Sequence, residues 1–144
     1  MKKLFTILVS LLVTASVYSQ TYKVNTFYAE LGGYVIQTDG THGVVVAMQD
    51  QGDSNWYNAE AMANDASKHD SNGAKFNDWR LPTKDELNLI FLQEESIGGF
   101  KLDMSYWSST EFDNVSAWLQ YFLAGIQEGN DKDLTAVVRA VRAF

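Results

Sequence analysis

Asn77-Asp78-Trp79-Arg80-Leu81-Pro82-Thr83-Lys84-Asp85-Glu86-Leu87-Asn88-Leu89-Ile90-Phe91-Leu92 is the stretch whose reading decides the fold. It holds the sole proline and the clearest helix start in 144 residues. In Thr83-Lys84-Asp85-Glu86 the Thr83 hydroxyl can accept from the Glu86 N–H, and the Glu86 carboxylate can reach back to the Thr83 N–H. Asp85 and Glu86 also place negative charge on the first turn, where the helix dipole favours it. Pro82 keeps Leu81 out of the helical region, so Trp79-Arg80-Leu81 is expected to run in extended. The helix is expected to bury Leu87, Ile90 and Phe91 at i, i+3 and i+4, and to end near Glu95 ahead of Gly98-Gly99.

Upstream, Gly32-Gly33 opens Tyr34 to Thr38, and Asp39-Gly40-Thr41-His42 connects it to Gly43 to Met48. Two β-rich runs joined by Asp-Gly predict a hairpin. The unbroken Val44-Val45-Val46 predicts a strand buried on both faces. Gln20 to Ala29 reads as an extended arm or first strand, and Gln49 to Asn55 as a polar loop. Trp56 to Lys68 is expected to be helical, capped by Asn55 or Ser54, with Tyr57, Ala61 and Met62 as its apolar positions. Its alanines suggest close approach to a neighbour. His69 to Phe76 reads as a turn-rich connector. Downstream, Tyr106 to Thr110, Ala117 to Phe122 and Thr135 to Arg142 read as strands. Glu111 to Ser116 and Leu123 to Leu134 read as polar loops. The expected class is α+β in one domain.

Residues 1–19 carry Lys2-Lys3, an apolar run from Leu4 to Val17, and small residues at Val17 and Ser19 ahead of Gln20. That is the pattern of a cleaved export signal, and the run is too short to span a bilayer comfortably. Without it 125 residues remain, with nine basic and eighteen acidic groups, a net charge of −9. Residues 20–31 are then a leader or first strand, and residues 32–144 the domain proper. Long-range repulsion disfavours nucleic acid, anionic lipid and sulfated polysaccharide as generic partners, and no run of Lys and Arg opposes it. There is no cysteine. That excludes a lipid-modified N-terminus, a disulfide framework, thiol chemistry and Cys-ligated metal. The expected location is exported: periplasm, cell surface or outside the cell.

Several residues carry a resemblance when taken together in order. Gly33-Tyr34-Val35 to Asp39 leads through His42-Gly43 to Asp50-Gln51. Asp78-Trp79-Arg80-Leu81-Pro82-Thr83 with Glu86-Leu87 follows, then Tyr106-Trp107-Ser108-Ser109-Thr110-Glu111. Trp118, Phe122, Gly125 and Val138-Arg139-Ala140-Val141-Arg142 close the series. Across residues 32 to 144 the chain resembles the domain family typified by the C-terminal domain of the Legionella collagen-like adhesin. That family is similar to the formylglycine-generating-enzyme domain and, through it, to C-type-lectin-like folds. The resemblance implies a compact domain with a twisted antiparallel sheet and two helices, its first and last strands close together. It also makes Trp79, Arg80, Pro82, Thr83, Glu86, Trp107, Glu111, Trp118, Arg139 and Arg142 structural.

Enzymes of the formylglycine type work through paired cysteines and copper, which this chain cannot supply. Its two histidines, His42 and His69, fall in an expected hairpin tip and a polar connector, where a histidine is expected to be solvated rather than catalytic. No phosphate cradle, Ser-His-Asp spacing or zinc motif occurs. Carboxylates cluster in the loops, but no EF-hand spacing or C-type-lectin sugar–calcium signature is present, so no metal or cofactor is expected. Asn114-Val115-Ser116 matches a glycosylation acceptor, a chance match in a chain with a bacterial-type export signal.

Val137, Arg139 and Val141 share one strand face. A valine-flanked arginine is expected to be buried and paired in a fork with a carboxylate, Glu86 or Glu111, unless it grips an anionic ligand. The function expected is a non-catalytic, exported binding or adhesion module, with carbohydrate favoured. A protein-partner module of a surface complex is the alternative, and a degenerate formylglycine-type enzyme the third. The expected ligand residues are Asp113, Asn114, Tyr121, Asn130 and Asp131. Trp118 and Phe122 are expected in the core, and the Asp39 to Gly43 tip is the fallback site.

Overall fold

The computed structural model describes residues 19–144, so all but the last residue of the expected export signal lies outside the described residues. Strands β1 (Thr26–Tyr28), β2 (Gly33–Thr38) and β3 (Gly43–Val46) join β9 (Val141–Ala143) in a four-stranded sheet of order β1-β2-β3-β9. Strands β4 (Gly52–Ser54), β5 (Ser105–Glu111), β6 (Ser116–Tyr121), β7 (Ile126–Asp131) and β8 (Ala136–Val138) form a second sheet, order β4-β8-β5-β6-β7. All pairings are antiparallel except β5 with β8, which meet in parallel at Tyr106 and Val137. The α+β class is as expected, but the sheet is divided in two. The helices are α1 (Trp56–Ala63), α2 (Lys84–Leu92) and the short α3 (Glu94–Ile97).

Local chemistry accounts for the first sheet. The Asp39 carboxylate accepts the N–H groups of Thr41 and His42, each at 2.8 Å, and Gly40 takes the positive φ that the β2–β3 turn needs. Gly33 lets β2 approach β3 so closely that any Cβ would strike the Val46 carbonyl.

The closing segment departs from the single strand expected over Thr135 to Arg142. It pairs with β4 and β5 as β8, then with β3 as β9, changing sheets at Arg139-Ala140. The two halves keep one alternation. Val137 and Val141 enter the core cluster under α2, while Val138 and Ala140 enter the cluster against α1. Leu87 and Ile90 of α2 are fully buried in the former, and Phe91 is only partly so. The indoles of Trp79 and Trp107 are buried with their N–H groups satisfied by the carbonyls of Gly73 and Ser54.

Three elements differ from expectation. β4 lies in the stretch expected to be a loop, and β7 fills the middle of the expected Leu123 to Leu134 loop. Ile126-Gln127-Glu128-Gly129-Asn130-Asp131 has little β propensity of its own. It is a strand because it pairs with β6 along its whole length, from Tyr121↔Ile126 to Ser116↔Asp131. The helix expected over Trp56 to Lys68 stops at Ala63, because Asp65 caps a separate short turn through the Ser67 N–H and hydroxyl. Its buried face is Ala59 and Ala63, whereas Tyr57 is 58% exposed. His69 also differs. It is buried, stacked on Trp79 at 4.6 Å, with Nε2 2.7 Å from the Ala63 carbonyl.

Candidate functional site

The structure's charged frame comes from Arg80, Arg139 and Arg142. Arg80 forks onto Glu86 at 2.7 and 2.8 Å, while the same carboxylate takes the Thr83 N–H at 2.8 Å and so completes the capping box. Burial raises the Glu86 pKa, but the Arg80 and Thr83 hydrogen bonds outweigh it and hold the group below its usual range. The backbone of Arg80 exchanges two hydrogen bonds of 2.9 Å with Val141, so the stretch before α2 is bridged to β9. Arg142 forks onto Asp78 at 2.7 and 3.0 Å and lies over the Phe76 ring.

Arg139 is buried, but its partner is neither Glu86 nor Glu111. It donates to Asp50 at 2.8 Å and to the carbonyls of Ala47, Gly98 and Gly99. Glu86 is taken by Arg80. Glu111 instead binds Lys132, which is 3% exposed. A buried lysine was not legible in a polar stretch, although Asp50-Gln51 stood among the residues of the resemblance.

Four of the five expected ligand residues come together at one end of the second sheet. Asp113 and Asn114 form the β5–β6 turn, and Asn130 and Asp131 end β7 directly opposite, in the ladder Ala117↔Asn130 and Ser116↔Asp131. The turn is held from within. Asp113 Oδ1 accepts the N–H groups of Val115 and Ser116 at 2.9 and 2.7 Å. Those bonds keep the exposed Asp113 carboxylate below its usual range. Tyr121 does not join them. It ends β6 at the opposite end, five strand steps or roughly 16 Å away.

Aromatic and aliphatic side chains share this end. Phe112, 54% exposed, meets Trp118 edge-on at 5.0 Å and lies over Gly129, where a Cβ would collide with its ring. Trp118 is half-buried rather than in the core, its other cover being the Lys84 ammonium 3.4 Å from the ring centroid. Phe122 is buried. Tyr57, Val115 and Leu134 are exposed around the same end, tied to it by the Trp56 N–H on the Lys132 carbonyl and the Lys132 N–H on that of Val115.

A cleft of about 330 Å³ lies at the β2–β3 tip between Gln37, Thr38, Asp39, His42, Gly43 and Val44. The backbone N–H groups of His42 and Thr41 bring the Asp39 pKa down to about 2. Among the described residues, no three His, Asp or Glu side chains gather as a metal cluster, and no helix is long and apolar enough to cross a membrane.

The fold and these sites define a two-sheet α+β domain with arginine-tied strands and a turn-rich end. The chain belongs to the Lcl C-terminal domain family, whose model matches residues 19–142. It is therefore an adhesin-associated domain, of a kind placed with surface or exported proteins. No curated protein matches it.

Proposed function

We propose that the domain is a non-catalytic binding module that takes carbohydrate at the turn end of the second sheet. The observation that carries this reading is Phe112, an exposed ring seated on Trp118 beside Asp113 and Asn114, with Asn130 across the ladder. A flat apolar ring flanked by carboxylate and amide groups offers a sugar both a stacking face and directional hydrogen bonds. The acidic rim of Glu111, Asp113, Asp131 and Asp133 favours neutral or amino sugars over sulfated ones. The absence of cysteine and the structural engagement of His69 support a role without catalysis.

A glycan array on residues 20–144 tests the reading, followed by titration of Phe112→Ala, Asp113→Asn and Asn114→Ala against any hit. The reading expects binding to be lost with melting temperature nearly kept. Undiminished binding in all three variants would move the site elsewhere, to the β2–β3 cleft first.

A protein partner is the second reading. It is favoured by Leu92, Leu123 and Ile126, which are exposed around the packed Phe91–Phe122 pair at the other end of β6 and β7. An array with no hit, together with loss of a cross-linked surface protein on Leu123→Asp, would support it.

A further inference from the structure

Lys132 is the one lysine among the described residues whose side chain is almost wholly enclosed, and its surroundings are specific. Its ammonium lies 2.7 Å from Glu111 Oε2, 3.2 Å from the Asp113 carbonyl and 3.1 Å from the Asn114 carbonyl. The Trp56 ring closes a further side at 4.7 Å. An ammonium has three N–H donors, and three oxygens receive them. Two of those oxygens belong to consecutive peptide units of the turn that presents Asp113 and Asn114. Carbonyls and a carboxylate converging on one point are what a hard cation requires, and here the cation is covalently attached.

We propose that Lys132 is a built-in cation: its ammonium fills the oxygen cage of Glu111, Asp113 and Asn114 and sets the shape of the β5–β6 turn, with no dissociable ion needed. With both carbonyls drawn inward, the exposed Asn114 side chain is left to project from the turn, while the Asp113 carboxylate bonds back to the N–H groups of Val115 and Ser116. The lysine is held in turn by its own backbone, through Val115 on one side and Trp56 on the other. Its role is to position the turn, so it stands whether or not the ligand is a sugar. Arginine cannot replace it, because a planar fork does not fit three acceptors gathered around a point.

The test is chemical rescue, read on the turn itself. In Lys132→Ala the backbone amide NMR signals of Asp113 to Ser116 should shift or broaden. Propylammonium chloride should restore them, whereas tetramethylammonium chloride at equal ionic strength, which has no N–H donor, should not. In the unaltered protein neither calcium nor a chelator should move those signals. Equal effects of the two ammonium salts, or a calcium-dependent shift in the unaltered protein, would overturn the proposal. Should Lys132→Ala fail to fold, acetylation followed by mass spectrometry decides. Lys132 should react at least tenfold more slowly than the exposed Lys68 and Lys75, and Glu111→Gln should speed it several-fold. A rate that Glu111→Gln leaves unchanged would show that the cage does not hold the ammonium.

Discussion

Asp50 receives the Arg139 guanidinium on one carboxylate oxygen at 2.8 Å and the Tyr106 hydroxyl on the other at 3.1 Å. Arg139 itself is wholly buried, with Phe100 stacked 4.1 Å away. The pair sits where the closing segment passes from one sheet to the other. Arg139→Lys keeps the charge but not the geometry that reaches Ala47, Gly98 and Gly99 together. Breaking such a buried network costs about 3 kcal/mol or more. A thermal melt should show a drop of about 10 °C, against little change for the exposed Lys68→Ala. Equal melting temperatures would remove the network from the account of stability. Lys132→Ala is unsuitable as a silent control, since that lysine is buried too.

Acid should unfold the domain partly through Asp78 and Glu86. Arg142 holds the Asp78 pKa down, and Arg80 with Thr83 holds down that of Glu86 against the effect of burial. Folded values below the unfolded ones mean that the stabilisation is present in full above the unfolded carboxylate range, at about pH 4. It is lost as pH falls through the folded values. Urea midpoints of the parent protein should therefore decline below about pH 4. In the doubly substituted Asp78→Asn, Glu86→Gln protein the decline should be shallower, and parallel curves would count against these two groups.

Two glycines separate rigid from yielding neighbours. A Cβ at Gly33 meets the Val46 carbonyl, which is fixed in the β2–β3 ladder, so Gly33→Ala should destabilise strongly. At Gly129 the obstacle is the half-exposed Phe112 ring, which can swing away. Gly129→Ala should cost no more than about 1 kcal/mol while displacing Phe112 from Trp118. A shift in tryptophan emission would report that displacement, and an unchanged spectrum with a large loss of stability would refute it.

Tyr121→Ala should leave binding at the turn end intact, because its ladder position faces Ile126 rather than Asp131. Side-by-side titration with Asn130→Ala, which lies at the turn end, separates the two. Loss of binding in the Tyr121 variant alone would shift attention to the Leu92–Ile126 end.

Sequence reading succeeded where the determinants are close together in the chain. The Thr83–Glu86 box, the Asp39-Gly40 turn and the valine run, with Val45 and Val46 buried and Val44 partly so, each depend on a few neighbouring residues. Asp50 and Arg139 are 89 positions apart, and no local pattern selects Asp50 over Glu86 or Glu111. β7 is polar and glycine-containing, and only its ladder with β6 makes it a strand. Lys132 and His69 occupy polar segments whose burial is imposed by distant partners, Trp56 and Glu111 for one, Trp79 for the other. The buried face of α1 likewise differs from the expected Tyr57, Ala61 and Met62. Ala59 and Ala63 turn inward because small residues admit close packing, which left Tyr57 outside.

The position of Tyr22 against Phe144 has a mechanical meaning. Their rings meet edge-on at 5.0 Å, and Phe144 exchanges two main-chain hydrogen bonds with Gly43. A pull applied between these two residues is borne first by that contact and by the β3–β9 pairing, all in the first sheet. Along the closing segment, force reaches the second sheet through Arg139-Ala140, where four side-chain hydrogen bonds clamp the arginine. The pairing of Val141 to Ala143 with β3 can thus open under tension while Asp113, Asn114 and Asn130, all in the second sheet, keep their places.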